Sequence, residues 1–115
     1  MGLFNKKEKA YRASAIALAK PATLIVTCNA IPENNKATYW FGVVLNGEIV
    51  GKIERNATPH TFTTSVDKNV LELNIFVKEN NGRVTPFGGR NLLLEVEDGE
   101  TVNVVFENRR FNVSR

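Results

Sequence analysis

The sequence predicts an all-β protein, an antiparallel β-sandwich of about seven strands preceded by a short N-terminal helix. Three observations carry this. From Ala22 onward, apolar side chains alternate with polar ones in short runs rich in β-branched and aromatic residues, the period-two pattern of half-buried strands. Asn46-Gly47 and Asp98-Gly99 each separate two such runs, and these dipeptides accept the positive φ angles of a tight hairpin at low cost. A chain of 115 residues, 43% hydrophobic and 23% charged, suffices for one buried core and hardly for two.

The elements follow in chain order. Lys6 to Lys20 holds no Gly or Pro and is rich in Ala and Lys, with Leu18, all good helix formers. Pro21 disfavours helical geometry at Lys20 and sets the boundary, dividing the chain into a basic helical arm at 1–20 and a sandwich at 21–115. On such a helix Phe4, Tyr11, Ala15 and Leu18 share one side, away from most of the charges. The first strand is Ala22 to Cys28, with Leu24, Val26 and Cys28 on one face. A polar loop leads to Tyr39, Phe41, Val43 and Leu45, which form one face of the first hairpin, with Ile49 and Ile53 on its second arm. Phe62, Thr64 and Val66 mark a short strand, and Leu71, Leu73, Ile75 and Val77 the core face of a longer one.

After a loop through the stretch Val84 to Arg90, Leu92, Leu94 and Val96 face one way, as do Val102, Val104 and Phe106 beyond Asp98-Gly99, which predicts a second hairpin. Phe111 and Val113 offer a last short strand. Turns at this spacing fit a two-sheet sandwich of immunoglobulin-like size; a small barrel is the alternative. The core is expected to include Leu24, Val26, Phe41, Val43, Leu45, Leu71, Leu73, Ile75, Leu94 and Val104.

Charge is unevenly placed. The first 20 residues hold five basic side chains against Glu8, whereas the other 95 carry ten basic and eleven acidic ones. A nucleic-acid-binding body shows an excess of Lys and Arg over its folded face, and this one is near balance, so nucleic acid is disfavoured. No apolar run approaches the ~20 residues of a membrane-spanning helix, the N-terminus lacks an apolar signal core, and the single Cys permits no internal disulfide. A cytoplasmic protein is the expectation.

The segment Val43 to Asn56, VVLNGEIVGKIERN, followed by the Phe62 run, resembles the hairpin of PEGA-like and related small bacterial immunoglobulin-like domains. The segment Leu92 to Phe106, LLLEVEDGETVNVVF, is similar to the strand, glycine turn and aromatic-containing strand that close them. In place of the Pro-Gly corner and nearby His of that family stands Val66-Asp67-Lys68-Asn69. The resemblance implies a non-catalytic domain that binds or spaces partners, and brings no catalytic residue with it.

Candidates for chemistry are few. His60 is the only histidine, and its Thr-Pro-His setting reads as a solvated turn. Cys28 alternates with Leu24 and Val26, as a small core residue does. Glu95, Glu97, Asp98 and Glu100 lack the spacing of a calcium loop and read as a solvated hairpin end. Gly88-Gly89-Arg90 could offer N–H groups and a guanidinium to an anion, but reads as a flexible connection between strands. No catalytic residue, metal or cofactor is expected.

Trp40 is the most suggestive residue. With Tyr39 and Phe41 in the core, alternation sends it to the outer face beside Gly42, either to anchor a contact or to cover the missing glycine side chain. The expectation is a non-catalytic protein-interaction or assembly module, self-associating, with Tyr11 and Leu18 as anchors on the arm and Trp40 on the body. The alternative is a module that binds carbohydrate or another ring-bearing ligand through Trp40. The basic arm leaves contact with a membrane surface open.

Overall fold

The computed structural model describes residues 5–33 and 36–115. One helix, α1 (Lys6–Ala13), precedes eight strands: β1 (Ala17–Cys28), β2 (Ala37–Leu45), β3 (Glu48–Ile53), β4 (His60–Val66), β5 (Lys68–Glu79), β6 (Val84–Glu95), β7 (Thr101–Glu107) and β8 (Arg110–Ser114). They form two four-stranded sheets, ordered β4-β1-β7-β8 and β3-β2-β5-β6, around one core. The sandwich is all-β as expected. Its first sheet is mixed, because β1 and β7 run parallel; every other neighbouring pair is antiparallel.

Alternation found the buried faces. Leu24, Val26, Phe41, Val43, Leu45, Leu71, Leu73, Leu94 and Val104 are buried, and Ile75 is partly so, because it faces a groove where the sheets part. Asn46 (φ 53°) and Gly47 (φ 85°) make the expected tight turn, with Leu45 opposite Glu48. Both residues in the left-handed region is the signature of a type I′ hairpin.

Asp98-Gly99 does not close a hairpin. β6 pairs with β5 in the second sheet, β7 with β1 and β8 in the first, so the turn carries the chain between sheets. Only Gly99 has positive φ (67°). The Asp98 carboxylate instead accepts from the Ala19 backbone N–H at 2.8 Å, and the Gly99 N–H donates to the Lys20 carbonyl at 3.1 Å. The apolar faces of β6 and β7 both enter the core, but from opposite sides. Period-two alternation reports which face is buried and is silent about which strand lies alongside. The hairpin that does end the chain, β7–β8, turns through Asn108 (φ 52°) and Arg109 (φ 60°), without glycine.

The helix expected over Lys6 to Lys20 ends at Ala13. Asn5 caps it by a reciprocal box, accepting from the Glu8 N–H at 2.8 Å while the Glu8 carboxylate accepts from the Asn5 N–H at 3.2 Å. Beyond Ser14 the chain is extended, because carboxylates elsewhere hold its backbone: Asp67 accepts from the Ile16 N–H at 2.7 Å, and Asp98 from Ala19. Pro21 lies inside β1, not at a boundary, in a stretch where the register with β4 shifts between Ala17 and Ala22. An irregular pairing is where a strand tolerates a residue with no N–H. Phe4 lies outside the described residues.

The crossing from β4 to β5 takes one residue, Asp67, whose N–H donates to Ile16 and whose carbonyl accepts from Val96. Beside it Asn69 is fully buried, and both polar atoms of its side-chain amide have partners. Its Oδ1 accepts from Asn46 Nδ2 at 2.8 Å and Thr64 Oγ1 at 2.5 Å, and its Nδ2 donates to the Val66 carbonyl at 3.0 Å. One amide therefore joins β4 of one sheet to the β2–β3 turn of the other, where the resemblance led one to expect a Pro-Gly corner.

Candidate functional site

The three anchors expected from sequence lie apart. Tyr11 sits on α1, half-buried, with the Lys68 ammonium 5.9 Å from its ring centre. Burial chiefly, and then the carboxylates of Glu95 and Asp67, raise its phenol above the usual range. The helix is docked on the outer face of the second sheet near the start of β5. Arg12 donates to the Lys68 carbonyl at 2.7 Å, Lys68 to Ser14 Oγ at 2.9 Å, and Asn91 of β6 to Glu8 Oε2 at 2.7 Å. Leu18 is in β1 and packs against the core, so it shares no helix face with Tyr11.

Trp40 lies on the outer face of the same sheet, towards the opposite end from α1. Phe76 stands opposite it on β5, and the rings stack with centroids 5.8 Å apart and planes inclined 18°. Lys52 Nζ reaches over the indole at 5.2 Å. A side chain at Gly42 would bring its Cβ to 3.1 Å from Phe76 Cε2. Phe76, not Trp40, therefore covers the glycine, and the missing side chain lets the pair lie low across the strands. Val44 and Ile49 are opposite each other further along this face, and Ile49 is 78% exposed. Trp40, Phe76, Val44 and Ile49 make an apolar strip over β2, β3 and β5.

A second feature lies between the sheets. At the end away from α1 a groove of about 390 Å³ opens along the β6 side, with Ile75 and Phe106 in its floor above the buried Leu73, and Phe87, Arg90 and Arg109 at its rim. The stretch read from sequence as a flexible connection is strand here. β6 runs through Gly88-Gly89-Arg90, with a bulge at Phe87, since Ile75 pairs with Gly88 but Phe76 with Pro86. The bulge leaves Phe87 67% exposed and edge-on to Tyr39, with ring centroids 6.3 Å apart. Gly88 has φ 142°, a conformation for which side chains are unsuited. Arg109 occupies the left-handed region at a cost of about 1 kcal/mol relative to glycine.

The remaining candidates are structural. Cys28 is buried in the core, where desolvation raises its thiol above the usual value. His60 opens β4 opposite Val26 and is not in a turn. The acidic cluster is organised by the last residue of the sequence given: Arg115 donates to both Glu100 carboxylate oxygens at 2.9 Å and to the Glu95 carbonyl at 2.7 Å. The Glu97 N–H foremost, then Arg115, hold the Glu100 carboxyl below the usual range. Among the described residues no group of three or more His, Cys, Asp or Glu is placed to hold a metal ion, and no helix is long and apolar enough to cross a membrane.

Sequence reasoning reached Trp40 and Arg90 but missed Phe87 and Arg109. Their signals were faint: a Pro-Phe-Gly-Gly run signals irregular backbone, and Asn-Arg is an uncommon pair for a tight turn. No protein-family model, no curated protein and no solved structure matches the chain.

Proposed function

We propose that the protein is a non-catalytic interaction module of the cytoplasm, an immunoglobulin-like sandwich that associates with protein partners, first with a second copy of itself, through the outer face of the β3-β2-β5-β6 sheet. One observation carries this: Trp40, stacked on Phe76 and continued by Val44 and Ile49, forms an apolar strip on the outer face that is half-buried at its aromatic end and 78% exposed at Ile49. Aromatic residues in such a setting are the usual anchors of protein contacts. The likeness of the Val43 to Asn56 hairpin to PEGA-like domains agrees with a binding role. The helix fits as part of the body, since Glu8, Arg12 and Ser14 are all engaged with β5 and β6.

The only tryptophan of the chain lies at the proposed contact, so its emission reports on that contact directly. Sedimentation over a concentration series, followed in parallel by Trp40 fluorescence, should show association together with a blue shift. Ile49→Lys should weaken association at least tenfold, and Trp40→Ala about thirtyfold, as loss of a ~2 kcal/mol anchor does. A parent that stays monomeric with unchanged emission, or variants that associate as well as the parent, would overturn the reading.

A further inference from the structure

We infer that the groove between the sheets binds a small amphipathic anion, an apolar chain or ring bearing one carboxylate or phosphate, with its body on Ile75, Phe87 and Phe106 and its charge between Arg90 and Arg109. The site is separate from the Trp40 face and does not depend on association there.

Charge complementarity is the first argument. Arg90 and Arg109 line the groove together with apolar residues and glycines, and no acidic residue lines it. Neither arginine side chain makes a hydrogen bond or ion pair with any described residue; Glu107, opposite Arg110 in the β7–β8 register, makes none with either. The two arginines stand exposed at the border of an apolar concavity, where their planar forks can each take a carboxylate or phosphate in a bidentate manner while the apolar body lies in the groove.

The backbone supplies the second argument. A two-residue turn of this type ordinarily carries glycine at its second position, and the chain places Arg109 there at φ 60°. The side chain set by that strained conformation is a lining residue of the groove. Strain at a residue whose side chain makes no hydrogen bond or ion pair with the described residues agrees with a role for it at the groove. The bulge at Phe87 acts in the same direction, since it turns an aromatic ring onto the rim and, with Pro86, interrupts the edge of β6. An interrupted edge is poorly suited to adding a peptide strand, which favours a small molecule over an extended chain segment. A volume of about 390 Å³ falls in the range of small-molecule pockets.

Decanoate and decyl phosphate serve as probes of the two head groups, and decanol as the neutral control, titrated into the 115-residue chain labelled with ¹⁵N. Saturable shifts at Phe87, Gly88, Arg90 and Arg109 with at least one anion, and binding of decanol weaker by tenfold or more, are expected. The preferred anion identifies the head group. Arg90→Gln and Arg109→Gly should each weaken that anion about tenfold, while Arg109→Gly raises the thermal midpoint by relieving the turn. That opposite movement of binding and stability separates loss of a ligand contact from loss of fold. Three results would overturn the inference: no saturable binding of either anion, decanol bound as tightly as the anions, or an Arg109→Gly variant that binds like the parent. Groove resonances that move with protein concentration alone would place a second copy there instead, and would overturn it equally.

Discussion

The two ends of the sandwich are built on opposite principles. At the end that holds α1, buried polar groups are joined into a closed set. Asn69 bonds Asn46, Thr64 and Val66, Asp67 ties Ile16 just before β1 to Val96 just after β6, and Arg12 and Asn91 fasten the helix. At the other end the β5–β6 hairpin extends past its cover. Ile75 is only half-buried, Phe87 protrudes, and the side chains of Arg90 and Arg109 make no hydrogen bond or ion pair with the described residues. The comparison teaches that this chain concentrates its specificity in one end and leaves the other with apolar surface and charge to offer. Substitutions of similar size should therefore have very different consequences at the two ends.

The largest effect is expected at the closed end. Leu71, fully buried, should lose about 3 to 5 kcal/mol as Leu71→Ala, whereas Ile75→Ala at the open end should lose about 1 to 2, because water already reaches that side chain. Equal losses in urea denaturation would dissolve the distinction. Asn69→Ala comes next, at about 3 kcal/mol, since it leaves the Thr64 hydroxyl, the Asn46 amide and the Val66 carbonyl short of partners in a buried place. A loss below ~1 kcal/mol would mean that water replaces the amide there. Gly47→Val should cost about 1 to 2 kcal/mol, because a β-branched residue resists the φ of 85°.

Phe87→Ala, at the open end, should change stability by less than about 0.5 kcal/mol despite removing a whole ring, since that ring is mostly exposed. A thermal midpoint lowered by many degrees would show the hairpin to be held by it. The smallest effect concerns pH. The folded Glu100 carboxyl titrates below its unfolded value, so its pairing contributes stability above the unfolded value of ~4.3 and loses it as the pH falls towards the lower folded value. Arg115→Ala should lower the thermal midpoint slightly at pH 7 and by less as acid protonates Glu100, the remaining loss being its bond to the Glu95 carbonyl; the effect is small because the contact is near the surface and screened.

Several features were legible in the sequence because they are local. Period-two alternation marked the buried faces of β1, β2, β5, β6 and β7, and Asn46-Gly47 its hairpin, since strand pleat and turn dihedrals depend on neighbouring residues alone. The outward position of Trp40 followed from the same alternation. Partnership between elements was decided only by tertiary structure. Asp98-Gly99 could join two adjacent strands or two sheets, and the contacts of Asp98 with Ala19 and of Gly99 with Lys20 chose the second. Residues 14 to 20 have helical propensity, but the carboxylates of Asp67 and Asp98, 51 and 79 residues away along the chain, hold them extended. The groove belongs to the same class. Arg90 and Arg109 meet only because β6 and the β7–β8 turn lie at the edges of facing sheets, and no local pattern encodes which side chains two separate edges bring together.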